Sequence, residues 1–189
     1  MNHDQKQQSK NVPQKYLQEI KRFEKWARQR LQIDGRLEST AVLGNFTTRR
    51  MTLVPFDVTD EIGKDCTAVT IRMNAARIQA DFIVNIMDAW VLKQGHEHRY
   101  REVFKQVGSI ANSPYGERAI AFTVETHDGC WIATSAYKSN ACSQKGCTFG
   151  PLEFVSMDGF RGRFGGLLPD KKTNAPSFCA QSDSQGGAQ

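Results

Sequence analysis

Apolar positions in this chain follow two spacings, steps of three and four and steps of two, separated by polar connections. Leu17, Ile20, Phe23 (with Trp26), Ala27 and Leu31 recur at the first spacing, the repeat of one helical face. Pro13 suits the first turn of such a helix, where its missing N–H would have no intrahelical partner. Gly35 can take the left-handed conformation that ends it. The sequence therefore predicts an amphipathic helix over 13–35, with Lys21, Glu24, Lys25 and Arg28 on the solvated side. Its apolar stripe can dock on the domain or pair with a second copy.

Residues 40–46 and 51–56 read as short strands joined by Thr47-Thr48-Arg49-Arg50, a connection that suits an antiparallel hairpin. Pro55 removes a ladder donor, so the second strand lies at an edge or ends there. A second helix is predicted over 59–80. Thr59 or Asp57 can cap it, and Asp60 and Glu61 suit its positive end. In it Ile62, Cys66, Val69, Met73, Ala76 and Ala80 alternate steps of four and three, and this stripe is expected to face the sheet. Residues 82–92 are apolar on both pleat faces, as an interior strand should be. Residues 119–126 and 130–137 alternate around His127-Asp128-Gly129, a hairpin. The polar excursion 94–118 is expected to be functional or mobile. Residues 151–155 can add an edge strand, and 160–169 can dock as an apolar strap. The reading is α+β: an antiparallel sheet packed against one main helix, with an extra N-terminal amphipathic helix. It forms a single domain over 13–169, with disordered tails at 1–12 and 170–189.

Composition narrows the class only slightly. The 189 residues are 39% hydrophobic, and no apolar run approaches a membrane span. The N-terminus lacks the apolar stretch of a secretory signal. Five cysteines, an odd number, read as free thiols in a cytoplasmic protein. The net charge of +5 permits an anionic partner. A nucleic-acid surface would need Arg49, Arg50, Arg99, Arg101, Arg161 and Arg163 to converge on one face.

Candidate chemistry centres on Asp88, a lone carboxylate within an apolar strand. Burying it without a partner is costly; Arg118, at the start of the hairpin, and Arg72 or Arg77 on the second helix are candidates, and Arg118 is the expected guanidinium. The bland alternative is a structural ion pair. The functional one is a polar handle in a concavity lined by Trp90. Glu117, Glu125 and His127 are the candidates for a second titrating group. His127 and Cys130, with Cys142 and Cys147, only partly match zinc spacing, and His96 and His98 lack an evident third ligand, so no metal and no cofactor is expected. Ser109, Ser113 and Ser135 lack a nucleophile elbow.

The run Ala80 to Lys93, with Asp88-Ala89-Trp90 near its end, resembles a pattern in a family of small uncharacterised bacterial and phage proteins. In that pattern a Ser/Pro-rich segment ending in Arg precedes the next aliphatic strand. Asn112-Ser113-Pro114-Tyr115-Gly116-Glu117-Arg118 is similar to it, as is Gly162-Arg163-Phe164-Gly165-Gly166-Leu167-Leu168-Pro169 to the family's closing segment. The resemblance covers roughly residues 40 to 169. It implies a cytoplasmic protein of a bacterium, phage or mobile element, with no established activity. The N-terminal helix and the segment from Cys142 to Cys147 depart from the pattern.

The expected binding set is Asp88, Trp90, Arg118, Glu117 and Tyr115. The expected function is a non-enzymatic binding or interaction protein, an accessory factor of a phage or mobile element, acting through 94–118. Its partner is expected to be a protein rather than nucleic acid, with no membrane, and the N-terminal helix can make it a homodimer. The alternatives are a nucleic-acid-binding protein and an enzyme centred on Asp88.

Overall fold

The computed structural model describes residues 12–56, 60–139, 146–157 and 164–169. The predicted tails, the Asp57 and Thr59 caps, Cys142, Arg161 and Arg163 lie outside them, apart from Val12, which packs against the core.

Helix α1 (Gln14–Asp34) leads into the hairpin β1 (Thr40–Asn45) and β2 (Arg50–Pro55). Helix α2 (Glu61–Ile78) and strand β3 (Phe82–Leu92) follow. After a short helix α3 (Tyr100–Val107) come β4 (Gly116–Thr126), β5 (Gly129–Ser139), β6 (Cys147–Phe149) and β7 (Glu153–Ser156). The strands form one antiparallel sheet in the order β2-β1-β3-β4-β5-β6, with β7 also on β5. The α+β class and the N-terminal helix are thus as expected, and β3 lies inside the sheet with β2 at its edge.

Pleat parity sorts the core into two layers. Val42, Val84, Val124 and Trp131 form one row across the sheet, and Ile86, Phe122 and Ala133 the next. Against them α1 lays Tyr16, Ile20, Phe23, Ala27 and Leu31, all buried. Docking is therefore the fate of that stripe, which leaves it unavailable for self-pairing. Arg28 locks the helix down, donating to Ser135 Oγ at 3.0 Å and to the Gly150 carbonyl at 2.7 Å.

The opposite face carries Ala41, Leu43, Val54 and Ile83, and α2 covers them with Ile71, Ala75 and Ile78. The stripe of α2 that meets the sheet is not the one its spacing predicts. The buried stripe of α2 is Thr67, Ile71, Ala75 and Ile78, while Ile62, Cys66, Val69, Met73 and Ala76 point outward. Ala80 is buried but lies beyond the helix. The cap also differs: Asp60, rather than Thr59 or Asp57, accepts the Gly63 N–H at 2.6 Å. The strap is present in its described part. Leu167 is fully buried with the α2 layer, and the buried Glu125 carboxylate accepts the N–H groups of Leu167 at 3.1 Å and Leu168 at 2.8 Å.

Candidate functional site

Helix α2 spans only the β1–β2 end of its sheet face. Beyond it, β3, β4, β5 and β7 expose a strip of the same face. That strip forms the floor of a groove of about 510 Å³. Val91, Ile132, Thr134, Ala136 and Val155 lie along the floor, with Glu117 and Glu153 among the lining residues. Tyr100 and Ile110 wall it, and Trp90 and Leu92 bound it at the end of β3.

The wall comes from the polar excursion, which folds back on the sheet. Lys93 donates its N–H to the Tyr115 carbonyl at 2.9 Å and its Nζ to the Pro114 carbonyl at 2.8 Å. Between these anchors run a 3-10 turn (Glu97–Arg99), α3 and a second 3-10 turn (Ile110–Asn112), whose start Ser109 caps by accepting the Ala111 N–H. Gly116 allows the second turn to sit close: a Cβ there would stand 2.2 Å from the Ile110 carbonyl oxygen. Helix α3 buries Val103 and turns Tyr100, Phe104 and Val107 outward, with the Tyr100 and Phe104 rings stacked at 6.0 Å.

The groove opens beside an unpaired backbone. β1 pairs with β3 from Phe82 to Ile86, whereas β4 pairs with it through Leu92. Among the described residues, no strand lies against the β1 side of 87–92. The bond from Lys93 N–H to Tyr115 shows that odd-numbered residues of β3 direct their backbone groups at β4. The N–H and C=O groups of Asp88, Trp90 and Leu92 therefore face the free edge. Trp90, 46% exposed, marks it.

Asp88 and Arg118 meet, as the sequence suggested, but on the α1 face rather than in the groove. Arg118 Nη2 donates to Asp88 Oδ2, and the Tyr137 hydroxyl donates to Asp88 Oδ1 at 2.8 Å. The Arg118 guanidinium also lies over the Tyr137 ring at 5.0 Å. Burial, then the bond to Asp88, pushes the Tyr137 phenol far above its ordinary value near 10. Both carboxylate oxygens of Asp88 are thus engaged within the protein. This favours the structural ion pair over a polar handle for a ligand. Tyr115 stands outside the groove lining, its ring against the tilted His96 ring at 4.6 Å and under the Arg99 guanidinium at 4.4 Å. Of the expected set, Trp90 and Glu117 line the groove; Asp88, Arg118 and Tyr115 do not.

The remaining candidates are dispersed. Arg49 and Arg50 sit at the β1–β2 turn, beside the start of β3, while Arg99 and Arg101 follow its end. About 30 Å of strand separates the two pairs. Cys130 pairs with Glu125 at one end of β5, and Cys147 with Ser139 at the other, also roughly 30 Å apart. Burial raises the Cys130 thiol to about 11, so it is a poor nucleophile. Continuing the β4–β5 register places Glu117 opposite Lys138, whereas Glu153 pairs with Thr134. Their Cα atoms are then about 16 Å apart, too far for the paired carboxylates of acid–base hydrolysis. Lys138 offsets the charge of Glu117 across the strands.

Most of the groove escaped sequence reasoning. Its signal was present in the hairpin: Ile132, Thr134 and Ala136 are apolar or small on the pleat face that α1 does not cover. Among the described residues, no helix is long and apolar enough to cross a membrane. No protein family, curated protein or solved structure matches the chain.

Proposed function

We propose that this is a non-enzymatic binding protein that captures an extended segment of a partner protein. The segment adds as a strand to the free edge of β3, and its alternate side chains enter the groove. The observation that carries this reading is the conjunction at Trp90 to Leu92, where unpaired backbone donors and acceptors border an apolar concavity. Main-chain hydrogen bonds supply affinity in such recognition, and side-chain pockets supply selectivity. The floor selects apolar side chains, and Glu153 favours Lys or Arg beside them. The placement of Asp88 within its own ion pair supports binding over catalysis. The separation of the arginine pairs supports a protein partner over nucleic acid. The resemblance noted in the sequence supports a setting in a bacterium, phage or mobile element. The free thiols Cys66, Cys130 and Cys147 suit a reducing cytoplasm.

Selection of a displayed random-peptide library on the full chain tests the proposal. Enriched peptides should alternate apolar residues and carry Lys or Arg. Ala136→Trp, which fills the groove floor, should abolish their binding, and N-methylation at alternate backbone positions should do the same. Enriched peptides that tolerate both changes, or a library that yields none, would refute strand capture here.

A further inference from the structure

The outward face of α2 is the least expected surface of the molecule. Ile62 is 76% exposed, Val69 54% and Met73 67%, with Cys66 and Ala76 exposed between and beyond them. At 100° per residue these five centre about 180° from the buried stripe Thr67, Ile71, Ala75 and Ile78. The helix therefore carries two apolar faces, and its own sheet uses one.

The two faces differ in spacing. The buried one steps by four, four and three. The exposed one steps by four, three, four and three, the heptad repeat of a helix–helix seam. That repeat specifies a helix as the cover. Among the described residues the one other long helix, α1, has already buried its stripe on the other side of the sheet.

We propose that α2 pairs antiparallel with α2 of a second copy of this chain about a two-fold axis. In this seam Ile62, Val69 and Ala76 occupy d positions, and Cys66 and Met73 occupy a positions. Cys66 lies across from Val69 of the other copy, and Ile62 from Met73. Flanking charges set the direction. Asp65 and Arg72 hold g positions; Gly63, Thr70 and Arg77 hold e positions. Parallel pairing would set Arg72 of each copy against Arg77 of the other. Antiparallel pairing sets Asp65 against Arg72 twice and leaves small or neutral residues, Gly63 and Thr70, along the other flank. A two-fold interface of this kind is self-complementary.

Sedimentation equilibrium of the full chain tests the pairing. The wild type should be a dimer. Val69→Glu combined with Met73→Glu should be a monomer with an unchanged circular dichroism spectrum, since both residues already face solvent. Arg72→Glu should raise the dimer dissociation constant about tenfold by facing Asp65 with a like charge. Adding Asp65→Arg should restore it. A monomeric wild type, or a dimer that survives the double glutamate change, overturns the proposal. So does an Arg72→Glu variant that dimerises as well as or better than the wild type; a tighter dimer would mean parallel helices. Peptide selection at the β3 edge is a separate readout, so failure at either surface leaves the other standing.

Discussion

Tyr137 shows how one side chain ties stability to its surroundings. Its burial and the bond it donates to Asp88 hold its phenol above the ordinary value near 10, against the opposing pull of the Arg118 guanidinium over its ring. As pH rises, the unfolded chain ionises its tyrosine first. The stabilisation is thus complete below about pH 10 and is lost as pH climbs toward the folded-state value. Tyr137→Phe should cost about 1–2 kcal/mol at neutral pH, since Asp88 loses a donor. It should also flatten the decline above pH 10. Tyr16 and Cys130, both raised by burial, would keep a residual slope. Urea unfolding at stepped pH measures both effects, and an alkaline decline as steep as that of the wild type would contradict this account. At this scale the sequence was informative. A carboxylate in an apolar strand required a partner, and Arg118 is that partner. Tyr137 was not foreseen, because it reaches Asp88 from β5, 49 residues away. No local pattern encodes such an approach.

Elements meet at close quarters where β1 crosses β3. Gly44 stands opposite Phe82, and a Cβ on it would lie 2.2 Å from the ring. The ring cannot move aside freely, since Phe46 and Tyr16 pack against it at 5.1 and 6.2 Å and it is almost wholly buried. Gly44→Ala should cost about 1–3 kcal/mol through overpacking. In a Phe82→Leu background the added cost should shrink, a coupling that a double-mutant cycle by chemical denaturation would read. Additive losses would mean that the ring is not what Gly44 accommodates. The elements themselves were largely legible. Both hairpins, β3 and the first helix follow from spacing and turn residues. The orientation of α2 did not follow. Its heptad stripe is the more hydrophobic of its two faces, yet the sheet takes the stripe of Thr67, Ile71, Ala75 and Ile78. Small residues such as Ala75 let the helix approach the pleats closely. Periodicity identifies a face but not its partner.

Across the whole molecule, the chain's later part closes the layer that its middle begins. Leu167 completes the apolar cluster between α2 and the sheet, and Glu125 of β4 holds the strap by two backbone N–H groups. Glu125→Ala should release residues 164–169, speeding their amide exchange about tenfold for each 1.4 kcal/mol lost. Exchange–mass spectrometry would detect this while protection in β3 and β4 stays near wild type; unchanged exchange in the strap would show that Leu167 alone holds it. By itself the sequence determined the α+β class, the identity of most elements, the interior place of β3 and the need of Asp88 for a cation, because these depend on local spacing and on the cost of burying charge. The tertiary structure alone decided which face of α2 is covered, which helix lies over the pleat face that carries Asp88, and where the groove opens. Those outcomes depend on how far each helix reaches across a shared sheet and on where β1 stops along β3, distances set between elements remote in the chain.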